Sequence, residues 1–374
     1  MSDAIAATQA GNLVKKSMRV VAAYTFDDVR LEERTVPEPG HGEALVRVRA
    51  SGLCTGDLTP WYISQKAKKH GGSVVLGHEA VGEIVARGEG APHRFQLGDR
   101  IIPHHHAPCL EPACPYCRRN AYVQCPAWTR TGFRPGGMAE YMIVDANCLA
   151  NDTQHIPDDL SDVDASLTEP TACCVKALAK RAGLVPGGTL VILGLGVMGM
   201  LNLRVATALH DGPILAVDLI EWRLEQARRH GAHATLHAGR CDDLVAAIRE
   251  RTGGHGAESI LCGPGHVPLM RQALDALAPG GTVCYFMSSE RDTEFTYAPF
   301  DAYFRELTIT HSYSAGPDDM RMALQLIQRG VVRAEDVVTR QVPLEELPQA
   351  YRDAATPGEH LKTVVVPHWN TESR

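Results

Sequence analysis

Four cysteines, Cys109, Cys114, Cys117 and Cys125, fall within seventeen residues, spaced C-x4-C-x2-C-x7-C. Four thiolates at such spacing can close a tetrahedral zinc site with no open position, which is a structural arrangement rather than a reactive one. The alternative of four unrelated core thiols is poor, because a short loop rich in proline and arginine cannot build a core alone. A DNA-binding zinc ribbon does not fit either, since its paired knuckles are normally separated by a longer hairpin. His104, His105 and His106 lie just upstream. With four cysteines available, they are expected at the surface or lining a cleft rather than ligating.

A second cluster is glycine-based. Leu190-Val191-Ile192-Leu193 reads as a strand and runs into Gly194-Leu195-Gly196-Val197-Met198-Gly199, which opens a helix. In such a G-x-G-x-x-G, Gly194 permits the tight turn, Gly196 admits a pyrophosphate and Gly199 allows close helix–strand packing. The free N–H groups of Gly196, Val197 and Met198 at the helix start favour the diphosphate. Alone the motif is weak, but a second strand follows and ends in Asp218, nineteen residues beyond Gly199. A carboxylate there accepts hydrogen bonds from ribose hydroxyls and repels a 2′-phosphate, which favours NAD over NADP. Arg223, in the next helix, has two readings: stacking on adenine, or pairing with Glu221.

Two smaller features complete the inventory. Cys54 sits in Gly52-Leu53-Cys54-Thr55-Gly56-Asp57, and His78-Glu79 in Leu76-Gly77-His78-Glu79-Ala80. Each is unremarkable by itself.

The elements that must position these residues change character along the chain. The first seventeen residues are small and polar and are expected to be a flexible arm. Short β runs follow at Arg19–Tyr24, Glu43–Arg49, Val74–Leu76, Ala80–Ala86 and Arg100–Ile102, separated by Gly, Pro and His. From Leu167 onward strands and helices alternate through Thr282–Phe286 and Leu307–Thr310, the pattern of right-handed βαβ units in a doubly wound parallel sheet. Met320–Arg329 then reads as a helix and Leu361–Val366 as a final strand. The expected organisation is an α/β Rossmann domain at 170–313 inserted into a β-rich domain made of 18–169 and 314–374.

The 374 residues carry 37 Lys and Arg against 44 Asp and Glu, a net charge of −7. This argues against a nucleic-acid binder, which needs a basic surface. No apolar run suits a signal peptide or a membrane span. A cytoplasmic protein is expected, with its eleven cysteines reduced or ligating.

Taken in order, G-L-C-x-x-D, L-G-H-E-x-x-G, the four-cysteine lobe, Glu169-Pro170 and G-x-G-x-x-G resemble the zinc-dependent medium-chain dehydrogenase/reductase family, and most of all its alcohol, polyol and threonine dehydrogenase branch. The likeness runs from Met18 to Pro367. It implies a GroES-like fold for the β-rich part and two zinc ions per chain. One is held by the four cysteines. The other, catalytic, is held by Cys54 and His78, with Glu79 and Glu169 supplying carboxylate ligation and Asp57 orienting the imidazole. An open zinc position makes an alcohol hydroxyl acidic enough to lose its proton near neutral pH, after which hydride can pass to NAD. The activity implied is reversible oxidation of a secondary alcohol, polyol or amino alcohol to a ketone, by a homodimer or homotetramer. Threonine-type and sugar-type dehydrogenases, and a non-catalytic NAD- or zinc-binding protein, are the competing readings; a zinc-free quinone reductase suits the ligand set less.

Two departures stand out. The family's proton relay places Ser or Thr two residues after the cysteine and often His five after it; here those positions hold Gly56 and Thr59. Thr59 is a candidate replacement, or it caps the following turn. The lobe also begins C-x4-C where the family has C-x2-C. Cys173 and Cys174, just after Glu169, are expected as buried thiols, the alternative implied by the resemblance being a zinc-binding cysteine that competes with Glu169; Trp61 and Tyr62 are expected as pocket-lining or packing residues.

Overall fold

The computed structural model describes residues 16–368. Most of the expected N-terminal arm lies outside these residues, although Ser17 already belongs to the first strand. The chain divides into two units. The first holds the segment up to Glu169, Gly316–Leu324 and the segment from Val338 onward; the second holds Pro170–Ala315 and Gln325–Val337. Residues 325–337 therefore pack with the second unit, whereas the sequence reading returned everything beyond 313 to the first.

In the first unit, strands β1 (Ser17–Ala23), β2 (Val29–Thr35) and β4 (Val74–Val75) form a small antiparallel sheet in the order β2-β1-β4. A larger sheet runs β16 (Val338–Val342), β17 (Lys362–Val365), β3 (Ala44–Gly52), β5 (Glu79–Arg87), β6 (Arg100–Pro103), β9 (Thr153–His155), with β8 (Tyr141–Val144) on β3 and β7 (Phe133–Arg134) on β8. The alternation in β3 and β5 drives this pairing. Val46, Val48, Ala80 and Ile84 point into one core with Phe95, Ile101 and Met142. A second core gathers Val20, Leu53, Ile63, Leu76, Met138 and Tyr351. Burial of such apolar surface contributes roughly 25 cal/mol per Å².

The second unit is a six-stranded parallel sheet in the order β12 (Ala234–His237), β11 (Ile214–Asp218), β10 (Leu190–Leu193), β13 (Ala257–Cys262), β14 (Leu277–Tyr285), β15 (Thr308–His311). Written in chain order this is 3-2-1-4-5-6, the doubly wound dinucleotide-binding arrangement. Its core includes Val191, Leu193, Leu215, Val217, Ile260 and Val283. Strands β10 and β11 are buried along their whole length, as continuous apolar runs require in a sheet covered on both faces.

Among the elements the periodicity misses are β2, β8, β12, β16 and the helices Pro60–Lys69 and Leu347–Ala354. Strand β2 (VRLEERT) is charged and only partly covered, so it offers no apolar alternation to detect. No helix among the described residues is long and apolar enough to cross a membrane.

Candidate metal and cofactor sites

The four-cysteine lobe closes as its spacing suggests. Cys109 and Cys117 sulfurs lie 3.8 Å apart, Cys114 and Cys125 3.9 Å, and Cys125 and Cys109 3.6 Å. Four ligands at a Zn–S distance of ~2.3 Å in a tetrahedron stand about 3.8 Å from one another, so the cage fits zinc as it stands. The N–H groups of Cys117 and then Tyr116 lower the Cys114 thiol to about 7, while burial raises Cys117 to about 12. The two additional residues of C-x4-C are taken up locally: Leu110 adopts φ 54°, and the Cys114 N–H donates to Glu111 O at 2.9 Å. Asn147 and Asn151 tie the lobe's base to the sheet unit by donating to the carbonyls of Ala107 and Pro108.

A second group is assembled from the ends of β3 and β5. Cys54 caps a single 3-10 turn, its sulfur accepting from the Gly56 N–H at 3.3 Å. His78 and Glu79 stand at the start of β5, and Cys54, His78 and Glu79 each offer one ligating atom within 4.8 Å of the other two. The fully buried Asp57 carboxylate lies 3.2 Å from His78 Nδ1, which leaves Nε2 for the cluster. Burial opposes a charged His78, but Asp57 and Cys54 outweigh it and hold its pKa well above the ordinary value. A pocket that retains a proton against desolvation is one that favours a cation.

The carboxylate of Glu79 has a partner that sequence reasoning missed. Lys362, from β17, is 1% exposed and ion-pairs with Glu79 Oε2, while donating to Leu53 O at 3.2 Å. A lysine in the run Leu361–Val366 reads as an outward residue, and only the tertiary structure supplies the buried carboxylate that keeps it inside. Gly52 is part of the same construction. A Cβ there would lie 1.8 Å from Glu79 Oε2, so only glycine leaves room for the pair.

Glu169, in the first turn of the helix Thr168–Lys180, has close neighbours besides the Cys54–His78–Glu79 group. It groups with His104 and His105, the three offering ligating atoms within 4.8 Å of one another. The histidines are therefore not surface residues: His104 is fully buried, and the His105 side chain is only 18% exposed. Burial and then the neighbouring His106, His78 and His104 push His105 well below the usual imidazole value. His106 falls to about 3 through burial first and then the charge of Lys66, and its Nδ1 meets Thr131 O at 2.9 Å. The signal that could have placed them was the position itself, three histidines directly after β6.

Of the other candidates, Thr59 is exposed and stands at the N-cap of Pro60–Lys69 without a side-chain capping bond, so the capping reading is not realised. Trp61 is half-exposed, and Tyr62 packs on the apolar core of its unit. Cys174 is buried, whereas Cys173 is only partly so. Neither Cys173 nor Cys174 joins a metal-ligating group among the described residues.

In the second unit, Gly194 has φ 86° and Gly199 packs so closely that a Cβ would lie 1.9 Å from Gly194 O. A Cβ at Gly196, by contrast, would find only Arg223 Nη1 at 3.9 Å, leaving that face open for a phosphate to approach the helix start at Val197 and Met198. Asp218 ends β11 with its carboxylate held by the Leu195 N–H at 2.6 Å and the Ile220 N–H at 2.9 Å. Arg223 does not pair with Glu221, which engages Arg228 and Arg240; it leans toward Asp218 at 4.0 Å.

Comparisons with known proteins agree with this geometry. The alcohol dehydrogenase GroES-like domain model matches residues 40–158, and the zinc-binding dehydrogenase model matches 194–329. The chain is 29% identical over 373 residues to the erythritol/L-threitol dehydrogenase of Mycolicibacterium smegmatis, covering 95% of this chain and 99% of that one. Among solved structures it is similar to the alcohol dehydrogenase TADH of Thermus sp. ATN1, at 29% identity and TM-score 0.80, covering 93% and 99% of the two chains. It is also similar to a Sinorhizobium meliloti 1021 protein determined with NADP bound, at 26% identity and TM-score 0.81, covering 94% and 100%. With two ordered family matches laid over a four-thiolate lobe, a Cys-His-Glu cluster and a parallel 3-2-1-4-5-6 sheet, the chain belongs to the zinc-dependent medium-chain dehydrogenase/reductase family.

Proposed function

We propose that this alcohol dehydrogenase is zinc- and NAD-dependent and interconverts a polyol or other secondary alcohol with its ketone. The observation that carries the reading is the Cys54–His78–Glu79 group, with Asp57 behind the imidazole. A thiolate, an imidazole and carboxylates are the donors of a catalytic zinc with an open position. Zinc bound there would supply Lewis acidity toward an alcohol hydroxyl.

The chain's own residues do the rest. Asp57 fixes the ring of His78 so that Nε2 faces the cluster. Lys362 holds the Glu79 carboxylate in place through their buried ion pair. Glu169 contributes a buried carboxyl whose pKa is raised, by burial first and by the Glu79 charge against it, with His78 and His104 opposing. Thr59 remains the candidate for accepting the alcohol proton at the solvent side, since it is exposed directly after the Cys54 turn. In the second unit the Gly194–Gly199 turn would hold the diphosphate and Asp218 the adenosine ribose. The likeness to the erythritol/L-threitol enzyme supports a polyol, and no feature of the ligand set separates polyols from amino alcohols.

One observation favours NADP as a second reading: the Sinorhizobium relative carries it, and Arg223 stands 4.0 Å from Asp218, within reach of a 2′-phosphate. The test is nucleotide reduction by metal-replete protein over a panel of polyols, secondary alcohols and amino alcohols, with NAD and NADP in parallel. Turnover of a polyol with NAD, lost in Cys54→Ser, is the expected result. No turnover on any substrate by protein that still binds NAD and zinc would overturn the reading in favour of a binding protein.

A further inference from the structure

The cluster His104, His105 and Glu169 has no part in the ligand set that the family resemblance assigns, apart from Glu169 itself. It shares no residue with the Cys54–His78–Glu79 group, and its donors are two imidazole nitrogens and a carboxylate oxygen. We propose that these three residues form a further metal position, taking a divalent first-row cation such as zinc, next to the thiolate-containing one.

His104 carries the argument. Its side chain is fully buried, and Nδ1 lies 2.6 Å from the buried carboxylate of Asp152. The backbone holds the same alignment, because the His104 N–H donates to Asp152 O at 2.8 Å. A proton on Nδ1 leaves Nε2 as the lone-pair nitrogen, and Nε2 is buried with no hydrogen-bond partner among the described residues. A carboxylate behind one ring nitrogen and an unmet nitrogen in front is how ligating histidines are oriented. Buried polar atoms are otherwise almost always satisfied, so an orphan nitrogen at the centre of a core asks for a ligand.

His105 repeats the pattern. Its Nδ1 is also buried without a hydrogen bond and stands 4.0 Å from Glu169 Oε1. Two imidazoles with unmet nitrogens, grouped with a carboxylate within ligating reach, suit a borderline cation better than a substrate hydroxyl, which would satisfy one of them at most. Trp128 packs edge-on against the His104 ring at 5.1 Å and limits its rotation. The two groups are neighbours: the rings of His78 and His105 are 4.9 Å apart. A carboxylate has two oxygens, so Glu169 is placed to serve both positions, as bridging carboxylates do in two-metal sites.

The inference does not depend on the dehydrogenase reading, because metal can be counted without turnover. Full-length protein is stripped with chelator, reloaded with zinc and analysed, then titrated with cobalt. The expected result is three zinc equivalents per chain, the third leaving first on dialysis because it has no thiolate. In the cobalt titration two equivalents bring thiolate-to-cobalt charge-transfer bands, and the third adds visible absorption without one. His105→Phe should remove the third equivalent alone. Asp152→Asn, which keeps the shape of the side chain, should weaken it about 10–100-fold while the charge-transfer bands stay. Saturation of the unaltered protein at two equivalents overturns the proposal, as do three retained in both variants. Two metals with full activity would defeat this inference alone; three metals with no turnover would defeat only the proposed function.

Discussion

At the scale of single residues, the Cys54–His78–Glu79 group is built as much by what surrounds the ligands as by the ligands. Glu79 and Lys362 are both essentially inaccessible, and burial works against the charge on Lys362 until Glu79 and then Cys54 outweigh it and raise its pKa. A buried pair of this kind adds little net stability, but removing one partner strands the other. In metal-free protein Lys362→Met should therefore cost about 3–5 kcal/mol in urea unfolding, through an unpaired Glu79. A loss under about 1 kcal/mol would mean that water reaches the stranded Glu79 carboxylate. These two residues also mark what a sequence conceals. Cys54, His78 and Glu79 were legible because they sit in short motifs, whereas Lys362 lies 283 positions beyond Glu79 with no motif around it. The burial of His104 was not legible, since it depends on Asp152 arriving from another segment.

At the scale of elements, strand ends do most of the positioning. The turn after β3 carries Cys54 and Asp57, the start of β5 carries His78 and Glu79, and the tip of β11 carries Asp218. The entry to β3 is pinned by Glu43, whose carboxylate accepts from Arg134 at 2.9 and 2.7 Å and from the Gly40 N–H at 2.8 Å. The Arg134 hydrogen bonds hold the Glu43 pKa below its ordinary value, against the effect of burial. A depressed carboxyl adds stability above its unfolded pKa of ~4.3 and loses it as pH falls through the lower folded value. Between about pH 5 and pH 3 the unaltered protein should lose more stability than Glu43→Gln, by about 1 kcal/mol, because Arg134 is half exposed. Parallel acid limbs in urea midpoints would remove Glu43 from the account. At β11, Asp218→Asn keeps an acceptor for the Leu195 N–H but removes the charge that discriminates against a 2′-phosphate. The ratio of kcat/KM for NAD over NADP should fall about 10–100-fold, the worth of a charged hydrogen bond; an unchanged ratio would place nucleotide choice elsewhere, with Arg223 the first alternative.

For the molecule as a whole, each unit has its own core and its own proposed ligand. Apolar packing in the second unit is a continuous sheet-and-helix interior, while the four-cysteine lobe consists of short turns with little core of its own. Metal in such a lobe contributes to folding directly. Chelator should lower the melting temperature of the protein. NAD at a hundred times its Kd should raise stability by about 2.7 kcal/mol, read as a higher melting temperature. A melting curve indifferent to chelator would show that the lobe's thiols do not hold a structural metal.

The sequence by itself determined whatever depends on neighbours along the chain: the parallel α/β alternation, the glycines of the Gly194–Gly199 turn, the closing of four cysteines within one loop, and the pairing of His78 with Glu79. These are local because turn geometry, side-chain period and ligand spacing act over a few residues. Tertiary structure decided which carboxylate meets which imidazole. It set Glu169 beside His104 and His105, put Lys362 against Glu79, turned Arg223 toward Asp218 and buried the His104 ring against Asp152. Such pairings join residues distant in sequence, and they follow from burial, where desolvation makes an unmet charge or lone pair costly enough to select its partner.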